Sequence, residues 1–491
     1  MSLIVERFRR IHRDQPDRPL VHLPADDRTL TASDIYDAAI VHAKALRRQR
    51  LGGTLVILAV GNRPAAFPCW LACRQEQISV MPAEMGITAV EIAELARRFG
   101  ASAVILPDSN ASASSIGIVE PYVDGLVVAQ VEGAIPKPEL YSGAAALKLT
   151  SGSTGLPKAT FTTERELILD TEHIVTAMGI TSGHTQLAVI PLSHAYGLGS
   201  LLIPALVQGT AVVLRESFVP HAIVSDARDY GAAVLPGVPF MFEHLLRSLP
   251  AGAWPDRLCT LISAGARLEA AAVRRFHEAF GVKIHSFYGT SETGGIAYDD
   301  SDDVRAETTV GKTMPGVQVT LREEEGAPPD SGRVHVAGEA VAARYAGERP
   351  SDGAFADGGF LTGDFGRFDE RGYLVLTGRA SAFINVAGRK VQPEEVEQVL
   401  RGMPGVADVR VLGAPDAARG QQIVACVVAT GGPGTLLALR RFCASRLASH
   451  KIPRQVVWLD RIPLTSRGKT DRAELERLVN AHLRSAETGM L

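Results

Sequence analysis

Cysteine is scarce: the chain has five among 491 residues, at positions 69, 73, 259, 426 and 443. Cys69 and Cys73 stand one helical turn apart, with no second Cys or His pair at zinc spacing, which argues against a zinc module or a disulfide framework. They read as buried thiols of a reducing compartment. Charge of one sign is also lacking. Lys and Arg total 51 against 54 Asp and Glu, so nothing nominates nucleic acid as a main partner. A true membrane-length apolar run is missing too. The longest uncharged stretch, "YGLGSLLIPALVQGTAVVL" from Tyr196 to Leu214, is interrupted by Pro204, Gln208, Gly209 and Thr210. It reads as a buried helix, a glycine stop and a strand, with no membrane span. Near the start, Arg7, Arg9 and Arg10 lead into polar sequence rather than the apolar core of a signal peptide, so the expected location is cytoplasmic. No internal repeat and no long low-complexity segment occurs.

What the sequence does have is apolar content, 46% over 491 residues, enough for at least two domains. Short β-branched runs alternate with amphipathic helical stretches: "TLVILAV" precedes a helix around 65–75, "AVEIAELARRFG" precedes "SAVIL", "AAVLP" precedes "PFMFEHLLRSL", and "CTLISAG" precedes "LEAAAVRRFHEAFG". That rhythm predicts an α/β fold of doubly wound, largely parallel sheets with ligands beyond the strand carboxyl ends. After about residue 300 the pattern changes to antiparallel strands with Pro, Gly and Asp turns, a small β subdomain. A second change falls at "LTGRASAF", beyond which the pattern is a small α+β unit with a helix opened by Pro393. The expected division is a large domain over 1–378, a hinge over 379–382 and a small mobile domain over 383–491.

One segment concentrates chemistry. In "LTSGSTGLPKAT", from 149 to 160, glycines let consecutive amides face one concavity, hydroxyls add donors, and Lys158 brings a positive charge, an arrangement suited to a polyphosphate. A Gly/Ser surface turn would look the same in isolation. Thr163 and Glu166 have capping-box spacing, so a helix is expected to follow. The segment is not a Walker A loop, and "GKT" at 468–470 is no better a candidate, because Pro463 stands where that motif needs glycine.

"LTSGSTGLPKA" resembles the phosphate-binding motif of the adenylate-forming superfamily, which includes acyl-CoA and aryl-CoA ligases. Further motifs of that superfamily follow in order: "PLSHAYGL" at 191–198, "SAGARL" at 263–268, "YGTSETGG" at 288–295, "LTGDFG" at 361–366, "GRASAFINVAGRKVQPEEVE" at 378–397 and "PLTSRGKTDR" at 463–472. The match spans nearly the whole chain. It implies an ATP site formed by Thr150, Ser151, Gly152, Ser153, Thr154, Gly155 and Lys158. Tyr288 is expected against adenine, with Gly265 and Ala266 as the opposite wall and Gly289 beside it. Ser291 would meet the α-phosphate and Glu292 would hold Mg²⁺. Asp364 is expected at the ribose, with Arg379 at ribose or phosphate. The resemblance makes His194 the gating residue beside the acyl carboxylate, although an isolated His in an apolar stretch is ordinarily a core residue. It makes Lys469, otherwise an unremarkable loop lysine, the cation that stabilises charge between carboxylate and α-phosphate.

Two positions depart from the superfamily pattern. Ser381 stands at the hinge where Asp or Lys is usual, and Asn385 stands where a lysine is often found. Both bear on the thiol half-reaction, in which the loop at Gly388 is expected to line the thiol tunnel. The implied activity is ATP-dependent conversion of a carboxylic acid to an acyl-adenylate, then transfer to coenzyme A. The alternative acceptor is the phosphopantetheine arm of an acyl carrier protein, since Arg389 and Lys390 suit either phosphate-bearing donor. "HAYGLGSLL" has no acidic residue to hold an α-ammonium, and Tyr196, Gly197, Phe240, Gly265, Gly294, Gly295 and Ile296 form an apolar or bare lining. An aryl or fatty acid is therefore expected. The rival from another class is a non-catalytic nucleotide-binding scaffold, against which stand Lys158, Glu292, Asp364 and Lys469.

Overall fold

The structure, a computed structural model, describes residues 2–84, 86–109, 116–150, 158–304, 309–324, 330–348, 353–379, 384–391, 393–430, 434–463 and 472–487. Two compact units emerge: Met1–Met85, Ile92–Thr150 and Ala159–Ala380 form the first, and Gly86–Glu91, Ser151–Lys158 and Ser381–Leu491 the second.

The first unit contains a nine-stranded sheet whose centre is parallel. Strands Ile284–Thr290, Thr260–Ser263, Val234–Gly237, Thr185–Ala188, Ala211–Leu214 and Pro19–Leu23 lie side by side in that order. Its edges are antiparallel, because tight connections return Gly294–Tyr298 onto Ile284–Thr290 and Arg28–Thr31 onto Pro19–Leu23. An eight-stranded sheet places Ala146–Thr150, Ser79–Pro82, Leu55–Leu58 and Ala103–Pro107 in a parallel core. Leu55–Leu58, Ser79–Pro82 and Ala103–Pro107 are buried at every residue. Such strands are covered on both faces, which explains their continuous apolar runs without alternation. The doubly wound expectation holds, with antiparallel margins added.

A five-stranded antiparallel sheet built on Gly332–Ala337 and Gly359–Phe368 completes the unit, in the region read as a β subdomain. The helix expected after the phosphate loop is Glu164–Ala177, and its capping box is formed by Thr163 and Glu166. The long uncharged stretch is less regular than expected. A short helical turn, Ala195–Gly197, passes into a π-helical turn, Leu198–Leu202, before the helix Ile203–Val207. Pro204 contributes no amide hydrogen to the ladder, and π turns of this kind are frequent beside functional sites.

The second unit is organised by the long hairpin Val406–Asp416 and Gly420–Ala429, with Gln455–Leu459 parallel to the latter. Period-two alternation separates its two faces. Ile423, Ala425 and Val427 enter one core with Val396, Leu400 and Leu439, while Val424 and Cys426 enter another with Leu475 and Val479. The helices Pro393–Arg401, Leu436–Ala444 and Arg472–Glu487 supply those partners.

Candidate active site

The carboxyl ends of the parallel strands carry Thr150, His194, Gly265, Ala266 and Tyr288. Thr260–Ser263 and Ile284–Thr290 are adjacent and in register from Leu261 with Ile284 to Ser263 with Ser286. Gly265 and Ala266 follow the first strand and Tyr288 lies near the end of the second. Tyr288 is 8% exposed and its hydroxyl donates to Asp364 Oδ2 at 2.8 Å. Asp364 is 4% exposed, and its own amide donates to Thr362 Oγ1 at 3.1 Å. Strand register sets Arg379 opposite Asp364.

The turn after Tyr288 carries Ser291 and Glu292. It is pinned by Thr293, whose amide donates to Thr290 Oγ1 at 3.3 Å and whose hydroxyl lies 3.1 Å from that oxygen. Glu292 is buried, and Oε1 accepts a 2.8 Å hydrogen bond from the Tyr345 hydroxyl. Tyr345 also hydrogen-bonds Thr150, the last residue of the strand Ala146–Thr150. Burial, then the nearby Glu292 charge, push the Tyr345 hydroxyl far above its ordinary pKa, so it stays a donor.

Beneath this turn lies a buried charge cluster. Lys148, from the strand Ala146–Thr150, feels the charges of Asp170, Glu292 and Glu166. Burial lowers the lysine and raises Asp170, while attraction between the two opposes both shifts. Asp170 Oδ1 accepts from the Gly295 amide at 2.8 Å. Gly294 has φ +71°, and a Cβ there would fall 2.1 Å from Asp170 Oδ1, so the side-chain-free residue is demanded twice.

His194 follows the strand Thr185–Ala188 and forms the N-cap of Ala195–Gly197. Its Nε2 is 2.8 Å from Oε1 of Glu84, which lies just past Ser79–Pro82 in the other sheet. Asn62, past the strand Leu55–Leu58, ties that strand's end to the ends of Thr185–Ala188 and Ala211–Leu214. Its Nδ2 reaches Ala188 O at 3.3 Å, Ile190 O at 3.0 Å and Arg215 O at 3.1 Å, and its Oδ1 accepts from Leu192 N at 2.9 Å. Gly197 lets the turn close, since a Cβ would meet Pro191 O at 2.1 Å. Tyr196 packs 5.3 Å from the Phe287 ring and donates to Ile262 O at 3.2 Å, while Phe240 lies against His244.

Lys158 begins the strand Lys158–Thr162. In the second unit, Gly388 and Ala387 form the hairpin tip between Ile384–Val386 and Arg389–Val391. Asn385 N donates to Gln421 Oε1 at 2.7 Å, and Arg389 Nη1 is 3.2 Å from His450 Nδ1. Residues 151–157, Ser381 and Lys469 lie outside the described residues. Four of the five thiols are buried as expected, but Cys259 is exposed. Among the described residues no cluster of three or more potential metal ligands occurs, and no helix is long and apolar enough to cross a membrane.

Sequence reasoning missed Asn62, Glu84, Lys148, Asp170 and Tyr345. Asn62 had a usable signal, a polar residue before Pro64 in the loop after a buried strand. The others reveal themselves only through partners far along the chain.

Residues 8–346 match the model of the AMP-binding enzyme family, and residues 395–469 match that of the AMP-binding enzyme C-terminal domain. The chain is 31% identical over 353 residues to a sulfoacetate–CoA ligase of Cupriavidus necator, covering 70% of this chain and 69% of the relative. It is 30% identical over 433 residues to a feruloyl-CoA synthase of an Amycolatopsis species, covering 85% and 87%. Its fold matches that of o-succinylbenzoate CoA synthetase from Bacillus subtilis, with a TM-score of 0.85 over 97% of this chain and 98% of the other at 22% identity. The chain belongs to the AMP-binding enzyme family, within the adenylate-forming superfamily, as an AMP-forming acid–thiol ligase.

Proposed function

We propose that the protein activates an aryl or fatty carboxylic acid with Mg²⁺-bound ATP and passes the acyl group to coenzyme A, in the cytoplasm. The acid's carboxylate oxygen attacks the α-phosphorus, the bond to pyrophosphate breaks, and an acyl-adenylate forms. The thiol sulfur then attacks the acyl carbon and AMP leaves. Tyr288 and the Gly265–Ala266 turn hold adenine, and Asp364 with Arg379 holds the ribose. Lys158 and residues 150–155 cradle the phosphates, with Ser291 at the α-phosphate.

Glu292 suits Mg²⁺ carried in with ATP. It is a buried carboxylate fixed by one phenol, and an ion that keeps phosphate and water ligands needs only one or two carboxylates. When bound, the ion neutralises charge on the phosphates. Lys469 stabilises charge developing between the carboxylate and the α-phosphate in adenylation. Rotation of the small domain about Ser381 then exchanges Lys469 for the Gly388 loop, which lines the thiol path.

The observation that carries this reading is the Tyr288–Asp364 hydrogen bond, which joins the expected adenine and ribose residues, together with Glu292 in the next turn. An apolar lining, with Tyr196 packed on Phe287, favours an acid without an amino group. ATP–pyrophosphate exchange across a panel of aryl, fatty, dicarboxylic and amino acids tests the first step. Exchange with aryl or fatty acids is expected, and no exchange with any acid overturns the reading in favour of a nucleotide-binding scaffold. Thioester formation with free coenzyme A and with a loaded carrier protein separates the acceptors. Activity with the carrier alone defeats the coenzyme A assignment. Lys469→Ala is expected to lower exchange by roughly a hundredfold or more while ATP binding persists.

A further inference from the structure

We propose that Glu84 is a positioning residue for His194, holding the imidazole in the tautomer that carries its proton on Nε2. The proposal rests on the reading of His194 as the residue bordering the acyl carboxylate. An ionised carboxylate only accepts hydrogen bonds, so at 2.8 Å from Glu84 Oε1 the His194 Nε2 carries hydrogen. In the neutral ring Nδ1 is then the acceptor.

The pair is poorly explained as a stabilising contact. The side chains of His194 and Glu84 are 35% and 26% exposed. Ion pairs open to water contribute little to stability. The backbones on both sides are already fixed without it. Asn62 clamps residues 188–192, and the amide of Ala83, next to Glu84, donates to Leu58 O at 3.0 Å. What the carboxylate adds is the ring's orientation and proton placement. It does so where the carboxyl ends of strands from two sheets meet, the usual ligand position in such sheets. A second residue that fixes a His tautomer is a recurrent device wherever an imidazole must present one chosen nitrogen.

The test uses the full-length protein and the acid that gives the fastest exchange. Pyrophosphate exchange and thioester formation are measured for Glu84→Ala, Glu84→Gln, His194→Ala and Glu84→Ala/His194→Ala. Glu84→Ala is expected to lower kcat, by roughly tenfold or more, in the same half-reaction that His194→Ala impairs, with KM for ATP unchanged. Glu84→Gln keeps an accepting oxygen in the same place, but its hydrogen bond is about half as strong, so it is expected to fall between wild type and Glu84→Ala. The double variant is expected to be no worse than His194→Ala. Nitrogen-15 shifts of the His194 ring report the tautomer directly: the Nε2–H form is expected in wild type and Glu84→Gln, and a mixture in Glu84→Ala.

Additive losses in the double variant, or an unchanged tautomer in Glu84→Ala, overturn the role of Glu84 while leaving His194 in place. A His194→Ala enzyme with both half-reactions intact instead overturns the underlying reading of His194. Glu84 is partly exposed and Glu84→Gln is isosteric, so loss of folding does not obscure the result.

Discussion

Replacing Tyr345 by Phe removes one oxygen from the site and little else. The ring packs edge-on against Phe355, with centroids 5.0 Å apart, and against Phe360 at 6.4 Å, contacts that phenylalanine keeps. What is lost is the 2.8 Å donation to Glu292 Oε1 and the bond to Thr150. A hydrogen bond to a charged acceptor contributes about 1.5–3 kcal/mol, toward the upper end where water cannot easily substitute. Glu292 is 9% exposed, so substitution by water is limited. If that energy serves to hold Glu292 for Mg²⁺ in the adenylation transition state, pyrophosphate exchange falls by about tenfold to a hundredfold. The Mg²⁺ concentration for half-maximal exchange should rise in parallel, since the carboxylate loses its fixed orientation. The assay is exchange rate against Mg²⁺ concentration at saturating ATP and acid, with Glu292→Gln as the reference for full loss. Tyr345→Phe with wild-type exchange and wild-type Mg²⁺ dependence would refute the claim that Tyr345 orients Glu292.

Gly294→Ala should destabilise the fold by about 2 kcal/mol or more, because φ +71° disfavours a Cβ and Asp170 Oδ1 occupies its place at 2.1 Å; urea unfolding measures it, and a midpoint within error of wild type contradicts the packing. Lys148→Met leaves Asp170 buried without its nearby cation and should destabilise the fold, whereas Lys148→Met/Asp170→Asn should regain part of that loss; equal losses in the two variants would mean that the charges do not compensate each other. Stability should also fall on acidification. Burial holds His22, His42 and His285 below their ordinary pKa, so between that lowered value and about 6.5 the unfolded chain binds more protons than the folded one. Stability is therefore present above about pH 6.5 and is lost as pH falls through the folded values. Urea midpoints from pH 7.5 to 5 check this, and His42→Gln should flatten the slope.

Legibility in the sequence followed locality. The second unit's class and the helix opened by Pro393 were readable, because proline at a first helical position is a local signal. The parallel strands were equally plain as apolar runs. The antiparallel return of Gly294–Tyr298 onto Ile284–Thr290 was not, since the intervening motif has chemical meaning that masks its role as a turn. The uncharged stretch from Tyr196 was read as a buried helix, a glycine stop and a strand, and the stop at Gly209 and the strand Ala211–Leu214 are found, but the helix is not regular. Carbonyls of its π turn take tertiary bonds: Thr171 Oγ1 donates to Gly199 O at 3.1 Å, and Gln186 Nε2 to Ser200 O at 2.8 Å. No local pattern announces them.

The same distinction divides the site. Each motif names a side chain fit to act, but a side chain on a turn has several rotamers, and the motif does not choose among them. The choice comes from a different segment every time. Glu84 meets His194 across 110 positions, Asp364 meets Tyr288 across 76, and Tyr345 meets Glu292 across 53. Asn62 reaches Leu192 across 130. These selectors sit in stretches whose composition is ordinary, and their effect depends on distances that only the two sheets establish. It follows that a swap of the motif segments between relatives should carry over the acting groups without their orientation. Activity should then depend on whether position 84 and position 345 still supply an acceptor and a donor.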